Sequence, residues 1–267
     1  MSAPGDGVLQ TRARRVAAAK AVAGMGVLAF WTVLLALATV AEVALLDAIL
    51  LSILLVAVPT MALAQAPLVA GATIERMPAY WSSIATLWLI GSACWFVGTR
   101  TQGPSALGLV ALPPGALAAW TAALTAAALA VIGGFRWLAD RTGGVDSDLL
   151  RQLLPRTRDE KIVFGILSVA AGTGEELAYR GYVIPVLAPV LGVIGAAVVS
   201  TAVFAVMHVY QGTMGILRTG VMGAFLAGGF LASGSLWPPI LAHTLIDVLA
   251  GIVLGERLLT EPTEPVE

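Results

Sequence analysis

Long apolar runs broken by short polar stretches set the plan of this chain. A polar, basic segment, 1–21, carries Arg12, Arg14, Arg15 and Lys20. The apolar run 22–40 follows, and as a helix at 1.5 Å per residue it is about one bilayer thick. Ala36-Leu37-Ala38 resembles a signal-peptide cleavage site, but the apolar region is long for that, and we read it as a first transmembrane helix. Seven more spans are expected. The second covers 48–66, bent or ended by Pro59 and Pro67. The third covers 80–98, with Trp81, Trp88 and Trp95 at positions that suit an interface or helix contacts. A Gly/Pro-containing loop, 99–114, leads to the fourth span, 115–134. The longest polar linker, 136–160, precedes a fifth span that starts at Lys161 and ends in the Glu175-Glu176 pair. The sixth, seventh and eighth lie within 190–209, 214–232 and 236–254. The expected fold is an all-α polytopic bundle of about eight transmembrane helices. It forms a single domain over 22–254, with a disordered acidic tail over 255–267.

Composition agrees with that pattern. The chain is 58% hydrophobic and 12% charged, with a mean hydropathy of +0.91, whereas a soluble domain is nearer one quarter charged. A net charge of −1 gives no reason to expect a nucleic-acid partner. A lone cysteine, Cys94, excludes intramolecular disulfides and CxxC metal sites. With eight spans and the N-terminus inside, only Arg100 and Arg180 among the 15 Lys and Arg fall away from the cytoplasmic side. The positive-inside rule then places both termini in the cytoplasm.

Chemistry concentrates late in the chain. Between Lys161 and Leu254 there are only three acidic residues, Glu175, Glu176 and Asp247, and both histidines of the chain, His208 and His243, lie there too. Ionisable groups at membrane depth are costly and by default mark a functional site. They fall into three motifs: Glu175-Glu176-x-x-x-Arg180, Phe204-x-x-x-His208 and His243-x-x-x-Asp247. On a helix Glu176 and Arg180 share a face and can pair, which reads as a structural ion pair. Glu175 points about 100° away, free for chemistry. These groups suffice for hydrolysis. A buried carboxylate takes a proton from water, an imidazole orients that water directly or through a metal, and His243, Asp247 or a metal stabilises the oxyanion. Two histidines and one or two carboxylates also make a plausible zinc set, so metal-bound and metal-free arrangements both stay open. Phe204 reads equally as packing or as a wall of the site, and Asp247 as a partner that fixes the His243 tautomer. Glu42 and Asp47 read as a solvated loop. No HExxH and no GxSxG occurs.

The trio EExxxR, FxxxH and HxxxD resembles the CPBP family of intramembrane proteases, also called the Abi or CaaX-protease-and-bacteriocin-processing family. The likeness covers the catalytic core, about 154–251. It includes Leu154-Pro155-Arg156-Thr157 and Gly172-Thr173-Gly174; earlier residues match only in hydropathy and in the Gly108-Leu109 loop. The resemblance implies an endopeptidase in a bacterial plasma membrane acting on a peptide or membrane-protein substrate. In that scheme Glu175 activates the water and His208 positions it or binds metal. His243 and Asp247 bind metal or stabilise the oxyanion, while Glu176 and Arg180 hold the motif in shape. Any metal, Zn2+ foremost, would draw on Glu175, His208, His243 and Asp247. The family's third motif accepts Asn or Asp, and Asp247 is the variant better suited to metal.

Two rival classes share the same groups: a non-catalytic immunity or scaffold protein, and an ion-coupled transporter. A simple eight-span layout also leaves a mismatch in depth. Glu175 lies about 21 Å from the inner end of its helix, whereas His208 lies near the inner end of the sixth span. Gly172, Gly174, Pro185 and Pro189 point to broken or re-entrant segments that would reconcile the two.

Overall fold

The computed structural model describes residues 6–100, 103–143 and 147–255, with side chains from residue 11 onward. The tail expected to be disordered lies, from residue 256, outside the described residues. Among the described residues there are helices and no strands. Six helices are long and apolar enough to cross a membrane, joined by a shorter apolar helix, Trp237–Val253. One of the six, Arg158–Met207, runs for 50 residues and doubles back at Gly192, whose φ of 72° and ψ of 159° suit glycine alone. Split there, the set becomes the eight apolar segments expected from the sequence. Outward-facing Leu28, Trp31, Trp88, Leu89, Phe96, Ile194 and Val198 are exposed, as a lipid-facing surface requires.

The helices are α1 (Asp6–Leu35), α2 (Leu45–Ser52), α3 (Val58–Val69), α4 (Arg76–Gly98), α5 (Pro114–Thr142), α6 (Asp148–Leu153), α7 (Arg158–Glu175), α8 (Ile184–Met207), α9 (Gly212–Ser233) and α10 (Trp237–Val248). Arg12, Arg14, Arg15 and Lys20 of the basic N-terminal segment lie in α1. α2 and α3 form one rod through a π-helical turn, Ile53–Ala57, and Pro59 follows that turn, where the hydrogen-bond ladder is already shifted. Local signals start and stop the others. α5 opens on Pro114 and closes on Gly143 at φ 70°. α7 opens on a capping box in which Thr157 and Glu160 satisfy each other's backbone N–H groups.

The fifth span does not end at the glutamates. A π-helical segment, Glu176–Val183, carries α7 directly into α8. The break falls at Gly192, not at Gly172, Gly174, Pro185 or Pro189. Gly172 and Gly174 serve close packing instead. A Cβ on Gly172 would lie 2.9 Å from the Ile240 carbonyl oxygen, and one on Gly174 would lie 2.6 Å from that of Leu87. α7 therefore seats tightly between α10 and α4, the small-residue packing that membrane helices use. Beyond Gly192 the chain returns along itself, and the Ser200 hydroxyl donates to the Tyr179 carbonyl at 2.5 Å. This antiparallel register brings Phe204, one turn past Ser200, level with Glu175, one turn before Tyr179. The mismatch in depth disappears with it, because His208 is only one further turn along.

Asp47 is not solvated, unlike Glu42, which is exposed. Asp47 is buried, Nη1 and Nη2 of Arg100 donate to it, and the Tyr182 hydroxyl donates to its Oδ1 at 2.7 Å. The cluster ties α2 and the end of α4 to the π-helical segment that carries Glu176. Asp47→Ala is expected to lower thermal stability in detergent, because it strands the buried Tyr182 hydroxyl at a cost of about 1–3 kcal/mol. Asp47→Asn, which keeps an acceptor for Tyr182, should lose less. Equal melting of wild type and Asp47→Ala would refute the role.

Candidate active site

Three apolar segments bring the three motifs together. Glu175 ends α7, Glu176 and Arg180 lie on the π-helical turns after it, Phe204 lies in the last turn of α8 with His208 just past its end, and His243 and Asp247 share a face of α10. A π-helical insertion rotates the side chains that follow it relative to a regular helix, and such turns recur at functional sites.

Glu176 and Arg180 have 0% exposed side chains and pair at 2.8 Å, as their spacing predicts. The arginine does more than neutralise a charge. Its Nη2 donates to the Gly223 carbonyl of α9 at 3.1 Å, and its guanidinium lies 4.2 Å over the Phe204 ring. Glu176 has a second partner that the sequence did not reveal. Its Oε1 lies 2.8 Å from His243 Nδ1. Beside arginine the carboxylate is an acceptor, so Nδ1 carries the proton and donates. The residue that fixes the His243 tautomer is therefore Glu176, not Asp247.

This leaves His243 Nε2 toward the other two carboxylates, 3.7 Å from Glu175 Oε2 and 3.8 Å from Asp247 Oδ2. The Glu175 and Asp247 side chains are 20% and 34% exposed, so both carboxylates open onto accessible space, in contrast to Glu176. The His208 tautomer follows in the same way. Its Nδ1 lies 2.8 Å from the Phe204 carbonyl oxygen. A carbonyl oxygen only accepts, so Nδ1 carries the hydrogen and Nε2 of the neutral ring offers its lone pair. Phe204 is the common wall. Its ring centroid lies 4.8 Å from that of His208, 6.1 Å from that of His243 and 5.5 Å from that of Tyr179.

The donors expected for Zn2+ are of suitable chemical type. Among the described residues, however, no group of three or more His, Cys, Asp or Glu is arranged to hold a metal ion.

No curated protein and no solved structure matches the chain. A family model does, over residues 158–249, and its description is type II CAAX prenyl endopeptidase Rce1-like. The matched segment runs from the first residue of α7 to the residue after α10 and contains every side chain of the three motifs. Residues 158–249 of this polytopic membrane protein are thus similar to the Rce1-like proteins of the CPBP family.

Proposed function

We propose that the protein hydrolyses a peptide bond in a membrane-associated substrate, with Glu175 as the base that activates water. The carrying observation is the meeting of two segments far apart in sequence: Glu175 Oε2 and His243 Nε2 stand 3.7 Å apart with the Glu175 side chain 20% exposed, while Glu176 and Arg180 behind them are fully buried. Water held between the Glu175 carboxylate and the Nε2 lone pair of His208 gives its proton to Glu175, and its oxygen attacks the peptide carbonyl carbon. In the imidazolium form, His243 donates from Nε2 to the oxyanion, with Asp247 and Glu176 balancing that charge. Collapse breaks the C–N bond, and the proton returns from Glu175 to the leaving amine. The family description supports a CAAX-type, prenylated substrate as the class to test first.

New protein N-termini are compared in membranes of cells expressing wild type or Glu175→Gln. Termini that appear only with wild type support the protease reading and name candidate substrates. Identical maps remove it in favour of a scaffold. The role of metal has its own test. Cleavage of a prenylated CAAX peptide by the purified protein is expected to persist after incubation with a zinc chelator. Loss that Zn2+ restores would instead make His243 and Asp247 metal ligands.

A further inference from the structure

The short turn after α8 holds a group that the three motifs do not include. Tyr210 lies two residues beyond His208 on a 3-10 turn, Val209–Gln211. Its ring centroid is 5.8 Å from that of His208, with the planes at 34°. The turn is held from both sides. Ser147 Oγ, just ahead of α6, donates to the Tyr210 carbonyl at 2.6 Å, and the Gln211 N–H donates to the His208 carbonyl at 2.9 Å.

The proton on the Tyr210 hydroxyl can be assigned from its neighbours. Arg218 Nη2 lies 3.1 Å from the side-chain amide of Gln211. A guanidinium has donors only, so the amide atom facing it must be Oε1. The other amide atom, Nε2, then faces the Tyr210 hydroxyl, at 3.1 Å, and donates to it. The phenolic oxygen is thus occupied as an acceptor. Its own hydrogen has no hydrogen-bond acceptor among the described residues. A buried tyrosine hydroxyl usually finds a protein partner for its hydrogen. The ring that carries this one lies against His208, one of the two imidazoles of the site.

We infer that Tyr210 is a further catalytic residue, its hydroxyl donating a hydrogen bond to the oxyanion of the tetrahedral intermediate alongside His243 Nε2. The inference rests on the protease reading above. It gives the intermediate two donors from different segments, the turn after α8 and α10. Arg218 and Gln211 act as positioning residues, since they aim the phenolic hydrogen without touching substrate. No proton leaves Tyr210 in this role; the hydroxyl stays neutral, and its hydrogen bond is released when the C–N bond breaks.

The test measures how fast wild-type-dependent N-termini appear in membranes of cells expressing Tyr210→Phe, Gln211→Leu or Glu175→Gln at matched levels, together with thermal melting of each purified variant. Tyr210→Phe keeps the ring against His208 and removes only the hydroxyl. It should slow cleavage about 100-fold, the usual effect of losing one oxyanion donor, with unchanged melting. Gln211→Leu, which lets the hydroxyl rotate, should slow cleavage about tenfold. A ring that only buttresses His208 predicts wild-type rates for Tyr210→Phe, and that result overturns the inference. A drop in melting that parallels the drop in rate overturns it as well. If Glu175→Gln itself leaves the termini unchanged, the protease reading fails and takes this inference with it, a result distinct from failure of Tyr210→Phe alone.

Discussion

Glu175→Gln is expected to slow cleavage by at least about 10³-fold while yield and thermal melting stay at the wild-type level. General-base catalysis contributes roughly 10²–10⁴-fold. In the mechanism proposed above the base also returns the proton to the leaving amine, so its loss affects both halves of the reaction. A factor of 10³ corresponds to about 4 kcal/mol of transition-state stabilisation. The expected structural effect is small for a local reason. Glu175 is partly exposed, and its ionic contact with His243 is a loose one at 3.7 Å. Glutamine fills the same volume and keeps an acceptor oxygen there, so little folding energy is at stake. The adjacent Glu176→Gln should behave differently, because that carboxylate is fully buried between Arg180 and His243. It should lose stability and activity together. Rates are read with the prenylated CAAX peptide or with the mapped N-termini. A Glu175→Gln protein that cleaves at a normal rate would remove the base from the mechanism.

Those two neighbours show what the sequence could and could not reveal. Each motif is legible because its partners lie one helical turn apart, and spacing alone sets that geometry. The Glu176–Arg180 pair and the common face of His243 and Asp247 are of this kind. The apolar runs are equally legible, since crossing a bilayer needs about 20 apolar residues whatever the rest of the chain does. Contacts between segments leave no such trace. Glu176 and His243 meet across 67 positions, and Asp47 meets Arg100 and Tyr182 across 53 and 135. Nothing near Asp47 distinguishes it from a loop carboxylate. The course of the fifth span was obscured for another reason. Pro185 and Pro189 look like helix breakers, but the π-helical segment before Pro185 has already moved the hydrogen-bond ladder off its regular pattern. The chain therefore continues past both prolines and turns at Gly192, where backbone freedom is needed. Tyr210 and Gln211 carried no motif at all; their roles follow from the donor logic around Arg218.

Arg180→Ala should produce the largest loss of stability, roughly 3–5 kcal/mol, the usual cost of stranding one partner of a buried ion pair. Membrane and soluble domains alike are stable by only about 5–15 kcal/mol, so the variant is expected to express poorly and melt early. Three contacts disappear together: the 2.8 Å pair with Glu176, the donation to the Gly223 carbonyl, and the guanidinium over Phe204. Activity falls with them, because Glu176 no longer sits fixed beneath His243 Nδ1. Arg180→Lys should rescue little, since an ammonium cannot serve Glu176, Gly223 and the Phe204 face at once. A double-mutant cycle separates the two consequences. Replacing Glu176 and Arg180 together with leucine removes both buried charges and should recover most of the lost melting temperature. Cleavage should stay absent, because His243 Nδ1 has then lost its acceptor and the tautomer it fixed. Two results would refute this division of labour: wild-type melting and cleavage in Arg180→Ala, or restored cleavage in the double-leucine variant. The first would make the buried pair incidental to the fold, and the second would free His243 from any need of Glu176.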